Sequence, residues 1–257
     1  MDEKNKKDLV NNLLDTFRHA AKISMDLREK GLKETLKNDN TPVTNGDIEV
    51  NNILIKKIES LTPQIPIISE EVANNKNLKN LSTFWLIDPI DGTYDYINGK
   101  DEFTINAALI INKIPEIGII NAPAKKRLFY SYSKNNSFEE SNNETKKLMA
   151  NNGVNDNIIN AVSYSNELKP EIKKFHEKFN VKKFIRMKSS LKFCVVASGE
   201  YDLYVAEPRA CEWDIAAGDA IVRNAGGTIS DFDGNKIFYG KKDFKNSSLI
   251  LKGSKLK

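Results

Sequence analysis

Histidine and cysteine are scarce here, with two of each in 257 residues. Cys194 and Cys211 form no Cys-x-x-Cys pair and read as reduced, structural residues. His19 and His176 lie in lysine-rich stretches with helical spacing, the setting of surface or half-buried side chains. Histidine-based nucleophilic catalysis and His-rich zinc sites are therefore disfavoured, and any chemistry should rest on carboxylates. Long apolar runs are missing too: nothing approaches the roughly 20 consecutive apolar residues of a membrane span. The first ten residues, MDEKNKKDLV, lack an apolar signal core. The sequence thus reads as soluble and cytoplasmic, with no transmembrane segment; peripheral attachment at an inner membrane is the alternative. A formal charge of +4 is small, and the basic residues are scattered. That discourages a nucleic-acid polymer as partner but suits a small anionic substrate. There is no internal repeat, and the sequence fits a monomer or a homodimer.

What is present is an alternation of helical and strand patterns. Val10, Leu13, Leu14, Phe17 and Ala21 keep the helical period, and this first helix should end near Gly31. Val50, Leu54, Ile58 and Leu61 mark a second helix, introduced by TPVTNGD with Thr44 and Asp47 at capping-box spacing. QIPIISEE and STFWLID read as strands, the latter stopping where Asp88 begins a turn. Residues 103–133 are rich in β-branched and aromatic residues, and predict several neighbouring strands with turns near Asn112-Lys113 and Pro123-Ala124. The polar segment Lys134–Asn157 reads as a long loop and an approximate domain boundary. It divides an N-terminal α+β unit, 1–150, from a C-terminal α/β unit, 151–257. In the second unit, strands at NIINAVSYS, VKKFIRM, YDLYVAE, TISDFDG and SLILKG alternate with helices. Those helices are expected near Pro170–Phe179, in SSLKFCVVASGE behind a serine cap, and in WDIAAGDAIVRNAGG, closed by Gly226 or Gly227. The expected fold class is α+β or layered α/β.

Within WLIDPIDGT, Asp88 and Asp91 stand three apart on a turn made by Pro89 and Gly92. Two carboxylates held together are costly when both are ionised, and a divalent cation between them removes that cost. Oxygen-only ligation favours magnesium or manganese over zinc, with the Ile90 carbonyl as a further hard ligand. Glu70 and Glu71 end a short strand, and Asp214 opens an apolar helix beside Trp213. Read singly, each has an ordinary explanation: an Asx turn, a solvated strand end, a helix N-cap. Read together, four acids can share an ion cluster. Free N–H groups at Gly92 and Thr93 would supply an anion cradle next to it, the layout of metal-assisted phosphate-ester hydrolysis.

The set DPIDGT at 88–93, the upstream SEE at 69–71, WDIAAGDAI from Trp213 and AGG at 225–227 resembles the inositol monophosphatase superfamily of magnesium-dependent, lithium-sensitive phosphatases. The motifs keep the superfamily's order between about Thr41 and Gly227. Their fold is an αβαβα sandwich. KSSLKFCVVASGEYDLY and EFTINAALI look most like its 3′(2′),5′-bisphosphate nucleotidases, which serve sulfur metabolism by removing the 3′-phosphate of adenosine 3′,5′-bisphosphate. By that resemblance, two to three Mg2+ ions are implied. Glu70, Asp88 and the Ile90 carbonyl would bind the first, Asp88, Asp91 and Asp214 the second, and Glu70 with water a looser third. Asp47 and Thr93 would orient and deprotonate the attacking water, and Gly92 and Thr93 would donate N–H groups to the phosphate. Glu207, Ser190 and Lys192 would line the substrate side along with Glu70 and Asp214, Lys192 facing a second phosphate.

Three departures stand out. Asn45-Gly46 precedes Asp47 where the family has a small residue, Tyr164 replaces a common arginine, and Lys188 replaces a common glycine. The last two fall on the nucleotide side. Inositol or other sugar phosphates are therefore rival substrates, and a catalytically silent cation-binding regulatory protein is the rival of another class.

Overall fold

The computed structural model describes residues 1–37, 40–72, 81–151 and 158–256. Helix α1, Glu3–Lys30, starts on the Asp2 side chain and ends at Gly31, as its sequence predicts. A hairpin of β1 (Glu34–Leu36) and β2 (Pro42–Thr44) leads into α2, Asn45–Leu61. Thr44 caps α2 and Asp47 closes the reciprocal capping box. Then follow β3 (Ile67–Ser69), β4 (Phe84–Asp91), the short α3 (Thr93–Ile97), β5 (Thr104–Ile111), β6 (Ile114–Ala122), β7 (Arg127–Ser133), β8 (Asn136–Ser141) and β9 (Glu144–Lys147). They form one seven-stranded sheet in the order β3 to β9, antiparallel except for the β3–β4 pair.

Two expectations fail in this half. The segment expected as a loop from Lys134 carries β8 and β9; its residues 152–157 lie outside the described set. Its Asn/Ser/Glu/Lys composition reflects an edge hairpin rather than a loop, and polar residues are what keep a sheet edge from pairing further. The turns at Asn112-Lys113 and Asn142-Asn143 take positive φ, which asparagine tolerates. Strand β4 also does not stop at Asp88.

The second half supplies β10 (Ile159–Ser163), α4 (Pro170–Lys178), β11 (Val181–Arg186), α5 (Leu191–Ala197), β12 (Leu203–Ala206), α6 (Glu212–Asn224), β13 (Thr228–Ser230) and β14 (Leu249–Lys252). Their sheet runs β11-β10-β12-β14-β13. Ser190 stands before α5 without making a side-chain cap, contrary to the sequence reading; its hydroxyl is used elsewhere. His176, expected at or near the surface, is buried against Phe184.

Period-two alternation sorts the strands into layers. Trp85 and Ile87 of β4, with Ile105, Ala107 and Leu109 of β5, pack under α1 and α2. Phe84, Leu86, Ala108 and Ile110 point the other way, onto α5 and α6, which also cover Val162, Tyr204 and Leu251 of the second sheet. That sheet's outer face, with Ala161, Leu203 and Val205, meets Ile172 and Phe175 of α4. The result is helix, sheet, helix, sheet, helix: the αβαβα sandwich.

Helix α6 fits between two sheets because it is built of small residues. A Cβ at Gly118 of β6 would lie 2.2 Å from the Ala217 carbonyl oxygen, backbone against backbone. Gly118→Ala should therefore push α6 from the sheet and cost about 2–3 kcal/mol by overpacking. In thermal denaturation that is a Tm drop of roughly 5–10 °C at this chain length. A variant melting with the wild type would mean that the helix has room that this packing denies it.

Candidate active site

Asp88 pairs with Asn106 and Asp91 with Thr104 across β4 and β5, so Pro89 and Ile90 face Ile105 alone. The extra residue makes a β-bulge, which bends the strand and re-aims its side chains. Phe84, Leu86 and Asp88 alternate onto the α6 side, so Asp88 meets the N-terminus of α6. There Asp214 occupies the third helical position and closes a capping box, a role compatible with ligating an ion. Its Oδ2 accepts from the Cys211 N–H at 2.7 Å. Carboxylate oxygens of Asp88, Asp91 and Asp214 all lie within 4.8 Å of one another.

The electrostatics of this cluster are those of an ion site. Burial, then Glu70, Asp91 and Asp214, push the Asp88 carboxyl well above the usual carboxylate range. Burial, then Asp91 and Glu70, push Asp214 up to about 8. Asp91 is raised mainly by burial, with Lys192 opposing. Asp88 Oδ1 is buried with no hydrogen-bond partner. A hard divalent cation fits such a donor set: oxygen-only, buried, anionic and with an orphaned lone pair.

Glu70 stands beside these three, and its charge acts on the Asp88 carboxyl. Its Oε1 accepts from Lys37 Nζ at 2.8 Å, and Glu71 Oε1 accepts from the same ammonium at 2.8 Å. Lys37 follows β1 in a stretch with no motif, so nothing in the sequence marked it. The Ile90 carbonyl accepts from Thr93 Oγ at 3.1 Å, and the same hydroxyl lies 3.2 Å from Asp47 Oδ1. The other oxygen of Asp47 takes the Thr44 N–H and hydroxyl, at 2.8 and 2.6 Å. Asp47 is thus both a capping residue and a partner of Thr93. Burial raises its carboxyl, while Thr44 and Thr93 hold it down. Gly92, at φ +96°, turns the chain into α3; a Cβ there would meet the Glu102 carbonyl at 2.9 Å, so only glycine suits this corner.

A cavity of about 310 Å3 opens beside the cluster, lined by Asp91, Gly92, Thr93, Lys192, Glu207 and Asp214 among others. Ser190 is buried and positions the cluster: its Oγ lies 2.8 Å from Asp91 Oδ2 and 2.6 Å from the Asp214 carbonyl, and accepts from Asn106 at 3.1 Å. Lys192 is 6% exposed. Its ammonium donates to the Ser189 carbonyl and lies over the Tyr204 ring, and burial pulls it down to about 8 against the pull of Asp91. Its charge acts on Asp91 and Asp214, and the residue also lines the cavity. Glu207 pairs with Lys169 at the rim. Lys188 donates to Asp95 Oδ1 at 3.1 Å. Arg209 also lines this wall, with its guanidinium over Tyr164; an isolated arginine in EPRACEWD gave no sequence signal.

The chain is similar to known proteins over nearly its whole length. It is 35% identical over 236 residues to the 3′(2′),5′-bisphosphate nucleotidase CysQ of Buchnera aphidicola, covering 91% of this chain and 88% of that one. It is 30% identical to CysQ of Salmonella typhimurium, with 83% and 86% covered. Among solved structures, CysQ from Bacteroides thetaiotaomicron superposes with a TM-score of 0.76 at 25% identity, over 97% of this chain and 98% of that one. The model of the inositol monophosphatase family matches residues 4–256, and with the relatives above this establishes that the chain belongs to the inositol monophosphatase family.

Proposed function

We propose that this phosphatase removes the 3′-phosphate of adenosine 3′,5′-bisphosphate, giving AMP and inorganic phosphate. The observation that carries the reading is the convergence of Asp88, Asp91 and Asp214, with Glu70 alongside, next to the Thr93–Asp47 pair. Similarity to 3′(2′),5′-bisphosphate nucleotidases favours the bisphosphate nucleotide among phosphate esters.

Glu70, Asp88 and the Ile90 carbonyl would hold one Mg2+; Asp88, Asp91 and Asp214 a second; Glu70 with water a third. Bound there, the ions would supply Lewis-acid charge neutralisation at the phosphate and make water more acidic. The protein's own part is positional. Thr93 Oγ, donating to Asp47 Oδ1, keeps lone pairs that accept from the attacking water, and Asp47 takes the proton relayed through that hydroxyl. The N–H groups of Gly92 and Thr93 face the phosphate oxygens. Asp214 and Glu207 accept from sugar hydroxyls, Glu207 after yielding its exposed contact with Lys169. Ser190 holds Asp91 and the first turn of α6 in register.

A phosphate-release panel at fixed magnesium tests the substrate. Adenosine 3′,5′-bisphosphate should exceed inositol 1-phosphate and hexose phosphates by at least about tenfold in kcat/KM, the worth of one added charge-assisted contact. A preference for inositol phosphate would transfer the assignment to sugar-phosphate hydrolysis. Turnover of none of them would favour a silent cation-binding protein.

A further inference from the structure

Among the described residues that line the cavity, Arg209 is the basic side chain with no hydrogen bond or ion pair to the protein. Lys188 is committed to Asp95 at 3.1 Å, and Lys192 to the Ser189 carbonyl deep in the wall. Glu207, two residues before Arg209, is engaged by Lys169. Arg209 rests on the face of Tyr164: the guanidinium carbon lies 3.4 Å from the ring centroid. Both residues are solvent-exposed, and both border the space that ends at Asp91, Thr93 and Asp214.

A guanidinium laid flat on a ring keeps all its N–H groups at the edge. Stacking satisfies the faces, where guanidinium is weakly hydrated, and leaves the fork free for a planar pair of oxygens. The stack also fixes the orientation of a long side chain, so little rotamer freedom remains to be lost when an oxyanion arrives. The charge of Arg209 adds to the burial that lowers the Lys192 ammonium and opposes the burial that raises the Tyr204 hydroxyl, which places its positive field over the same wall.

From this juxtaposition we infer that Arg209, held by Tyr164, grips the second phosphate of the substrate and sets the preference for bisphosphates over monophosphates. The inference rests on the bisphosphate reading above and names the residue that makes the distinction. It reassigns to Arg209 the task that sequence resemblance gave to Lys192. It also gives Tyr164, a departure from the family pattern, a purpose as the platform for that arginine.

Steady-state kinetics on adenosine 3′,5′-bisphosphate and 3′-AMP test it. Arg209→Gln should raise KM for the bisphosphate by about thirty-fold, as loss of a bidentate charge-assisted pair does, with kcat within about twofold. KM for 3′-AMP, which carries nothing for the fork to hold, should stay within the same factor. Arg209→Lys should recover only part of the affinity, since an ammonium keeps charge but neither stacks nor forks. Tyr164→Leu should raise the bisphosphate KM by about three- to tenfold, the worth of one cation–π contact. If the wild type prefers the bisphosphate and Arg209→Gln keeps that preference, this inference is overturned and the bisphosphate reading stands. If the wild type shows no preference over 3′-AMP, the bisphosphate reading itself is overturned. An equal rise in KM for both substrates would make Arg209 a general anion attractor and refute its role in discrimination.

Discussion

Asp88→Asn should lower kcat by at least about 1000-fold while the metal-free protein melts no earlier than the wild type, and later by roughly 2–4 °C for each kcal/mol regained. The two halves of this expectation have one cause. Asp88 is 1% exposed, lies among Glu70, Asp91 and Asp214, and has an oxygen with no partner. Its carboxyl is raised well above the usual range, so the folded state holds its proton more tightly than the unfolded chain does. Above the unfolded carboxylate pKa, near 4, that shift is a cost to folding which grows until the folded-state pKa is passed. Asparagine has the same shape and no charge to bury, and it removes the cost. It also removes the acid that would serve two ions at once in the proposed site. Magnesium should accordingly raise Tm of the wild type but not of the variant, a readout independent of turnover. Near-normal activity in Asp88→Asn, or an unchanged magnesium shift, would dismiss the carboxylate cluster as the seat of catalysis.

How far the sequence alone discloses this site depends on whether the relevant signal is local. The Thr44–Asp47 capping box spans four residues and forms as its spacing implies. The glycine of DPIDGT marks the corner that follows Asp91, because a positive φ is the demand of a single residue. Three features escaped for physical reasons. The continuation of β4 through Asp91 depends on a bulge, whose extra residue shows only against β5. Strands β8 and β9 carry no apolar alternation because β8 buries the polar Ser137 and Glu139 and the edge strand β9 is exposed throughout. Ser190 reads as a helix cap, yet its hydroxyl is drawn off by Asp91 and the Asp214 carbonyl, groups 99 and 24 residues away. At Lys192 a lysine in a helix pattern announces charge, not direction, and only the structure shows its tip donating to the Ser189 carbonyl. Arg209 and Lys37 are legible only through their partners, Tyr164 and the Glu70–Glu71 pair.

Thr93→Val should lower kcat by about 100- to 1000-fold, the usual worth of a positioned proton acceptor, with KM changed by less than about twofold. Valine keeps the shape of threonine and loses only the oxygen. Asp47 stays in place because its other carboxylate oxygen is fixed by the Thr44 N–H and hydroxyl, so α2 keeps its start. What disappears is the 3.2 Å link from Thr93 to Asp47 Oδ1 and the lone pair that would receive the water's proton. Thr93→Ser restores an oxygen on the same backbone and should recover most of the rate, which a purely structural role for the methyl group would not allow. Asp47→Asn should cost a similar factor, and the double variant little more than either single one, because two groups acting in one relay fail together. The measurement is single-turnover phosphate release for all four variants at saturating magnesium. Additive losses would show that Thr93 and Asp47 act separately. A Thr93→Val enzyme within about threefold of the wild type would leave the attacking water to be deprotonated elsewhere, since a relay without its first oxygen carries no proton.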